Sequence, residues 1–93
     1  MSVSDIIDGL RARDMLALVN EICKLRGVTV HDLCGRTRSR CVSHARQEVW
    51  WRIRHHPEYH YSYLDIARLF ARDHTTIMAG ISAHARRTPA VHP

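Results

Sequence analysis

The sequence predicts an all-α protein, a compact helical bundle of four main helices containing a helix-turn-helix and a basic loop. Three observations carry that expectation. Apolar residues recur at three- and four-residue spacing through most of the chain, and no stretch alternates with period two. Two short helical patterns, "LDIARLF" and "HTTIMAGISAHARR", are separated by about three residues, the spacing of a helix-turn-helix.

The elements follow in order. Ile6, Ile7 and Leu10, after Ser4-Asp5, allow an extra helical turn or two ahead of the bundle, so residues 1–13 read as an N-terminal extension. Over residues 14–26, Met15, Leu18, Val19, Ile22 and Leu25 share one face, and Gly27 ends that helix. Thr29 and Asp32 are spaced as a capping box that opens one short turn, with Val30 and Leu33 inward. "GRTRSR", Gly35 to Arg40, has no apolar residue and reads as a loop. The helical period resumes over residues 42–55 with Val42, Ala45, Val49 and Ile53 aligned and Trp50 on the flank. Pro57 interrupts it. Ser62 with Asp65 caps a short helix to about Phe70, to which Leu64, Ile66, Ala67, Leu69 and Phe70 give apolar surface. Asp73 is placed to cap a last helix from His74 to about Arg87, with Ile77, Met78, Ile81 and Ala85 inward. Thr88-Pro89 ends it, and residues 88–93 are expected to form a flexible tail. The bundle proper is residues 14–87.

Composition narrows the function. With 93 residues, 45% hydrophobic and 25% charged, this is one soluble globular domain. The apolar runs are short and "MSVSDIIDGL" lacks the pattern of a secretory signal, so no membrane association and a cytoplasmic, nucleoid-associated location are expected. Cys23, Cys34 and Cys41 form no C-x-x-C pair, and the eight histidines lack ligand spacing, so no metal and no cofactor is expected. Charge is unevenly placed: residues 1–35 sum to −1 and residues 36–93 to +6, within a formal total of +5. All but one of the fourteen basic residues are Arg, whose planar fork suits phosphates and base edges. A one-sided arginine charge is the footprint of a nucleic-acid binder.

Two clusters are candidates for that contact. Arg72, Asp73, His74, Thr75 and Thr76 crowd polar side chains at the start of the last helix. They either cap the helix or face base edges in a major groove, where Asp accepts from cytosine and Thr or His bonds to bases or touches a thymine methyl. Arg36, Arg38 and Arg40, alternating with Thr37 and Ser39, either enter a narrow A·T minor groove or make solvated, nonspecific phosphate contacts. Arg46, Gln47, Arg52, Arg54 and Arg68 are available to phosphates or are surface residues.

"GRTRSRCVSHARQEVWW" followed by "YLDIARLFARDHTTIMAGI" resembles the C-terminal DNA-binding domain of DnaA, the bacterial replication initiator, over about Leu18 to Arg87. The stretch Arg72 to Ile77 is the most specific match, supported by the R-x-R of the loop and by Arg46-Gln47. The resemblance implies a helix-turn-helix that binds double-stranded DNA at short A·T-containing sites. It implies base contacts from Asp73, His74 and Thr75 in the major groove and from Arg38 in the minor groove. Phosphate contacts are implied at Arg40, Gln47 and Thr76, and the basic surface adds Arg36, Arg46, Arg68 and Arg72. Thr37 and His44 stand where the family usually carries basic side chains, and "HHPEYHYSY" is a longer connection than the family's. The chain has no Walker A loop, so no nucleotide is expected, and a stand-alone regulator of transcription or replication follows.

Two further expectations concern other surfaces. Trp51 lies opposite Val42, Val49 and Ile53 on its helix, so it needs cover from the N-terminal segment or from a second copy in a homodimer. An adaptor that docks partners through Trp50, Trp51 and Tyr59, Tyr61 and Tyr63 is the alternative function. No enzyme is expected, because Asp73, His74 and Thr75 in sequence do not form a nucleophile, base and orienting group.

Overall fold

A computed structural model describes residues 2–87, and these form six helices and no strand. They are α1 (Val3–Ala12), α2 (Leu16–Arg26), α3 (Val30–Cys34), α4 (Arg40–Arg54), α5 (Tyr63–Phe70) and α6 (His74–Arg87). The expected tail, and the helix stop at Thr88-Pro89, lie outside the described residues.

Each start has a local cause. In α1, Ser2 and Asp5 form a reciprocal capping box, each side chain taking the other's backbone N–H. The extra turn or two expected here is therefore a full helix, and it buries Ile6 and Leu10 in the common core. The Thr29 hydroxyl accepts from the Asp32 N–H at 2.9 Å, one half of the predicted box. Ser39 caps α4 and Ser62 caps α5, the latter as a complete box with Asp65. Gly27 ends α2 in the left-handed region, φ 69°, which glycine enters without steric penalty.

The core is one cluster, with Leu10, Met15, Ile22, Leu33, Ile53, Ile66 and Ile77 its largest fully buried side chains. Helix α4 runs through its centre and packs on α2, α3, α5 and, most extensively, α6. Trp50 is part of this core rather than on its flank, and meets Phe70 edge-to-face at 6.2 Å between centroids.

Several predicted inward positions face out. Leu25, Leu64 and Met78 are exposed, as is Ala85. The buried set of α6 is Ile77, Gly80, Ile81 and His84. That set is also spaced by three and four, but it includes a glycine and a histidine, which an apolar tally passes over. Trp51 is half-buried and meets the tilted rings of His55 on its own helix at 4.6 Å and His84 of α6 at 5.4 Å between centroids. Its ring cover thus comes from α6 and α4.

The long connection from His55 to Ser62 is built from its own aromatics. His56 stacks on Tyr59 at 3.9 Å, and the Tyr59 hydroxyl donates to the Asp14 carbonyl at 3.3 Å. Arg54 lies over the Tyr63 ring. Tyr59, Tyr61 and Tyr63 are half-buried against the core. This packing holds α5 against α4 despite the length of the connection.

Candidate nucleic-acid interface

Helices α5 and α6, with residues 71–73 between them, form the helix-turn-helix. Helix α5 closes on Ala71 in the left-handed region, φ 56°, with the Arg72 N–H bonded back to the Ala67 carbonyl at 2.9 Å. A non-glycine residue carries a steric cost of about 1 kcal/mol there. The tight turn it makes sets Asp73 directly before α6.

Asp73 is the helix cap. Its carboxylate accepts from the Thr75 N–H at 3.2 Å, and its carbonyl accepts from Thr76 and Ile77. Those bonds from Thr75 hold its carboxyl below the usual carboxylate range, and His74, 3.4 Å away, acts in the same direction. Yet Asp73, His74, Thr75 and Thr76 are all exposed. Capping engages the backbone of this turn, while the imidazole and the threonine hydroxyls face solvent at the positive end of the helix dipole. The two readings of the polar cluster are compatible.

The arginine loop is rooted beside this turn. The Arg72 guanidinium donates to the Gly35 carbonyl, and Gly35 and Arg36 line a small cleft with Ala71 and Arg72. Arg46 reaches the same place from α4: its Nε donates to the Leu33 carbonyl at 2.8 Å, and its Nη2 donates to Asp32 and Gly35 at 2.9 Å each. These carbonyls belong to the C-terminal end of α3, where only Asp32 takes a cap N–H, from Gly35, and positive charge is favoured.

Arg46 is expected at a phosphate from the sequence; in the structure its guanidinium is engaged within the fold, beside Gln47, Arg72 and Thr76. It is only 6% exposed, with two of its nitrogens committed to backbone carbonyls. It is a positioning residue that ties α3 and the loop root to α4. Burial lowers its pKa, as it does that of Arg72, without threatening either charge. Arg36, Arg38 and Arg40 beyond the root are exposed, and Arg40 is the first residue of α4.

Gln47, Arg72 and Thr76 come together. They line a cleft of about 530 Å³ between α4 and α6, together with Trp50 and Arg86. Ser43 and Arg86, absent from the predicted set, belong to this cleft. Helical spacing is the signal that would have found them: Thr76, Ala79, Ala83 and Arg86 form one ridge, and Ser43 lies one turn before Gln47. Arg68 lies elsewhere, exposed on α5 beside Arg13, His60, Tyr61 and Asp65.

Near the C-terminal end of α6 the charge is denser. Burial lowers the His44 pKa, and Arg87, Arg26 and Arg40 lower it further. Glu48 offsets part of this charge through Arg26 at 2.5 Å and Arg52 at 3.9 Å. Cys23 and Cys34 are buried, and burial pushes the Cys34 thiol up to about 11, so it stays protonated at neutral pH. Among the described residues no three His, Cys, Asp or Glu side chains are grouped to hold a metal, and no helix is long and apolar enough to cross a membrane.

A capped, solvent-facing second helix, a tight turn and an adjoining arginine loop define a helix-turn-helix module of the DNA-binding class. The family whose model matches is the helix-turn-helix of the bacterial dnaA protein, over residues 16–83. The chain belongs to that family, and DNA binding is the family's general property. No curated protein and no solved structure matches the chain.

Proposed function

We propose that this protein binds double-stranded DNA sequence-specifically at sites resembling the initiator's box, and regulates transcription or replication initiation by occupying them. Asp73, His74 and Thr75 read base edges in the major groove, and Arg38 enters the adjacent A·T minor groove. Arg36, Arg40, Gln47, Arg68, Arg72 and Thr76 hold phosphates. The observation that carries the reading is the exposure of His74 and Thr75 on a turn where Asp73 already takes the Thr75, Thr76 and Ile77 N–H groups, so capping leaves both side chains facing solvent. The loop root at Gly35, held by Arg72 and Arg46, supports use of the loop and the turn on one duplex.

Affinity and specificity come from different parts of this surface. Exposed arginines displace counterions from the phosphates, which draws the protein to any duplex and weakens as salt rises. Hydrogen bonds from the α6 turn then distinguish one sequence from another. Binding to a duplex carrying an initiator box, compared with a scrambled duplex of equal composition, tests the reading. Tighter binding to the box supports it, and equal affinity for both would leave a nonspecific basic protein.

A further inference from the structure

We propose that Met78 is a specificity-determining residue that reads a thymine through its 5-methyl group, an inference that rests on base reading by His74 and Thr75. Three large apolar side chains are exposed among the described residues, and Met78 is the one on α6, at 43%. The buried side of α6 is formed without it, by Ile77, Gly80, Ile81 and His84. Met78 follows His74 by four residues and Thr75 by three, so it occupies the helix face they share, one turn further on. Long side chains on a helix lean toward its N-terminus, which carries the thioether back over the turn bearing the two readers.

The surroundings favour a reader at this position. Ala79, Ser82 and Ala85, exposed between Met78 and the arginines at the end of α6, are small, so Met78 projects beyond them. Four residues of helix advance about 6 Å, and base pairs repeat about every 3.4 Å, so Met78 falls about two pairs from the base that His74 meets. Methionine offers no strong hydrogen-bond donor, and the thymine methyl is the one apolar group on the major-groove edge. Its flexible, polarizable side chain moulds to that methyl.

The test uses the duplex most enriched by selection from random sequences, with each thymine replaced in turn by deoxyuridine, which removes only the methyl. Wild type and Met78→Ala are titrated against every duplex at one salt concentration. At one position the replacement should weaken wild type about fourfold, the effect of one buried methyl-sized group, and leave Met78→Ala unchanged. Met78→Leu, which keeps an apolar side chain, should retain the dependence. Methyl effects that are equal in wild type and Met78→Ala at every position, or absent from both, would overturn the inference. Loss of the underlying reading looks different: neither protein would then prefer the selected duplex to a scrambled one.

Discussion

Arg46 and His74 show how differently two polar side chains are used. His74 projects from an exposed turn and meets only the Asp73 carboxylate, so on the proposed function replacing it removes a DNA contact and disturbs the fold little. His74→Ala or Thr75→Ala is expected to relax site preference and weaken the preferred complex by about 1–3 kcal/mol, with the thermal midpoint almost unchanged. Arg38→Ala should reduce discrimination between A·T and G·C pairs at the minor-groove side of the site. Arg46→Ala should instead destabilise the fold by about 2–4 kcal/mol in urea unfolding, since it strips donors from the carbonyls of Asp32, Leu33 and Gly35. Arg46→Lys should recover only part, because an ammonium cannot reproduce the fork. The exposed turn is legible from sequence because capping residues and solvent-facing polar residues have the same chemistry. The burial of Arg46 is not, since an arginine carries no sign of which carbonyls lie in reach.

At the scale of elements, the seat of α6 on α4 decides how the exposed turn from Asp73 to Thr76 is presented. A Cβ on Gly80 would lie 2.8 Å from Cε3 and Cζ3 of Trp50, and ring carbons held in the core have little room to yield. Gly80→Ala is therefore expected to lower stability by about 1–2 kcal/mol, overpacking outweighing the better helix propensity of alanine. Ser62→Ala removes the reciprocal cap of α5 and should cost about 1 kcal/mol. Helix existence and the capping residues Thr29, Ser62 and Asp73 can be read from spacing. The facing of α6 can be read only in part, because Ile77 and Ile81 fit both the expected and the observed stripe. Gly80 and His84 decide between the stripes, and neither counts as apolar in a tally. Leu25 misleads for the opposite reason: it has the right spacing but lies past the last contact of α2 with the core.

For the whole molecule, protonation and salt act on stability and binding separately. Burial lowers the His44 and His84 pKa values below the usual 6.5; neighbouring arginines add to this, and Glu48 partly opposes it at His84. The folded state therefore holds fewer protons than the unfolded chain near that value. The stability contributed by these neutral imidazoles is complete above about pH 6.5 and is lost as pH falls. The lowered Asp5, Asp65 and Asp73 carboxyls stabilise the fold fully above their usual 3.8 and lose that contribution only as pH falls below it, outside this window. The thermal midpoint should therefore drop between about pH 7 and about pH 5, and His84→Gln should reduce the drop. Binding, in contrast, should depend steeply on salt. If Arg36, Arg40, Arg68 and Arg72 each neutralise one phosphate, log affinity should fall against log salt with a slope of about −4. The asymmetry of charge along the chain makes a basic face legible in the sequence itself. The rooting of the loop beside the α6 turn is not legible there, because Gly35 and Arg72 are far apart in the chain and meet only through α3 and α4.

The most direct measurement is the ratio of affinities for an initiator-box duplex and a scrambled duplex, taken at one salt concentration for wild type and for His74→Ala. The account predicts a ratio well above one for wild type that collapses toward one in the variant, while scrambled-duplex affinity stays the same. A wild-type ratio of one, or a ratio that His74→Ala leaves intact, would contradict it.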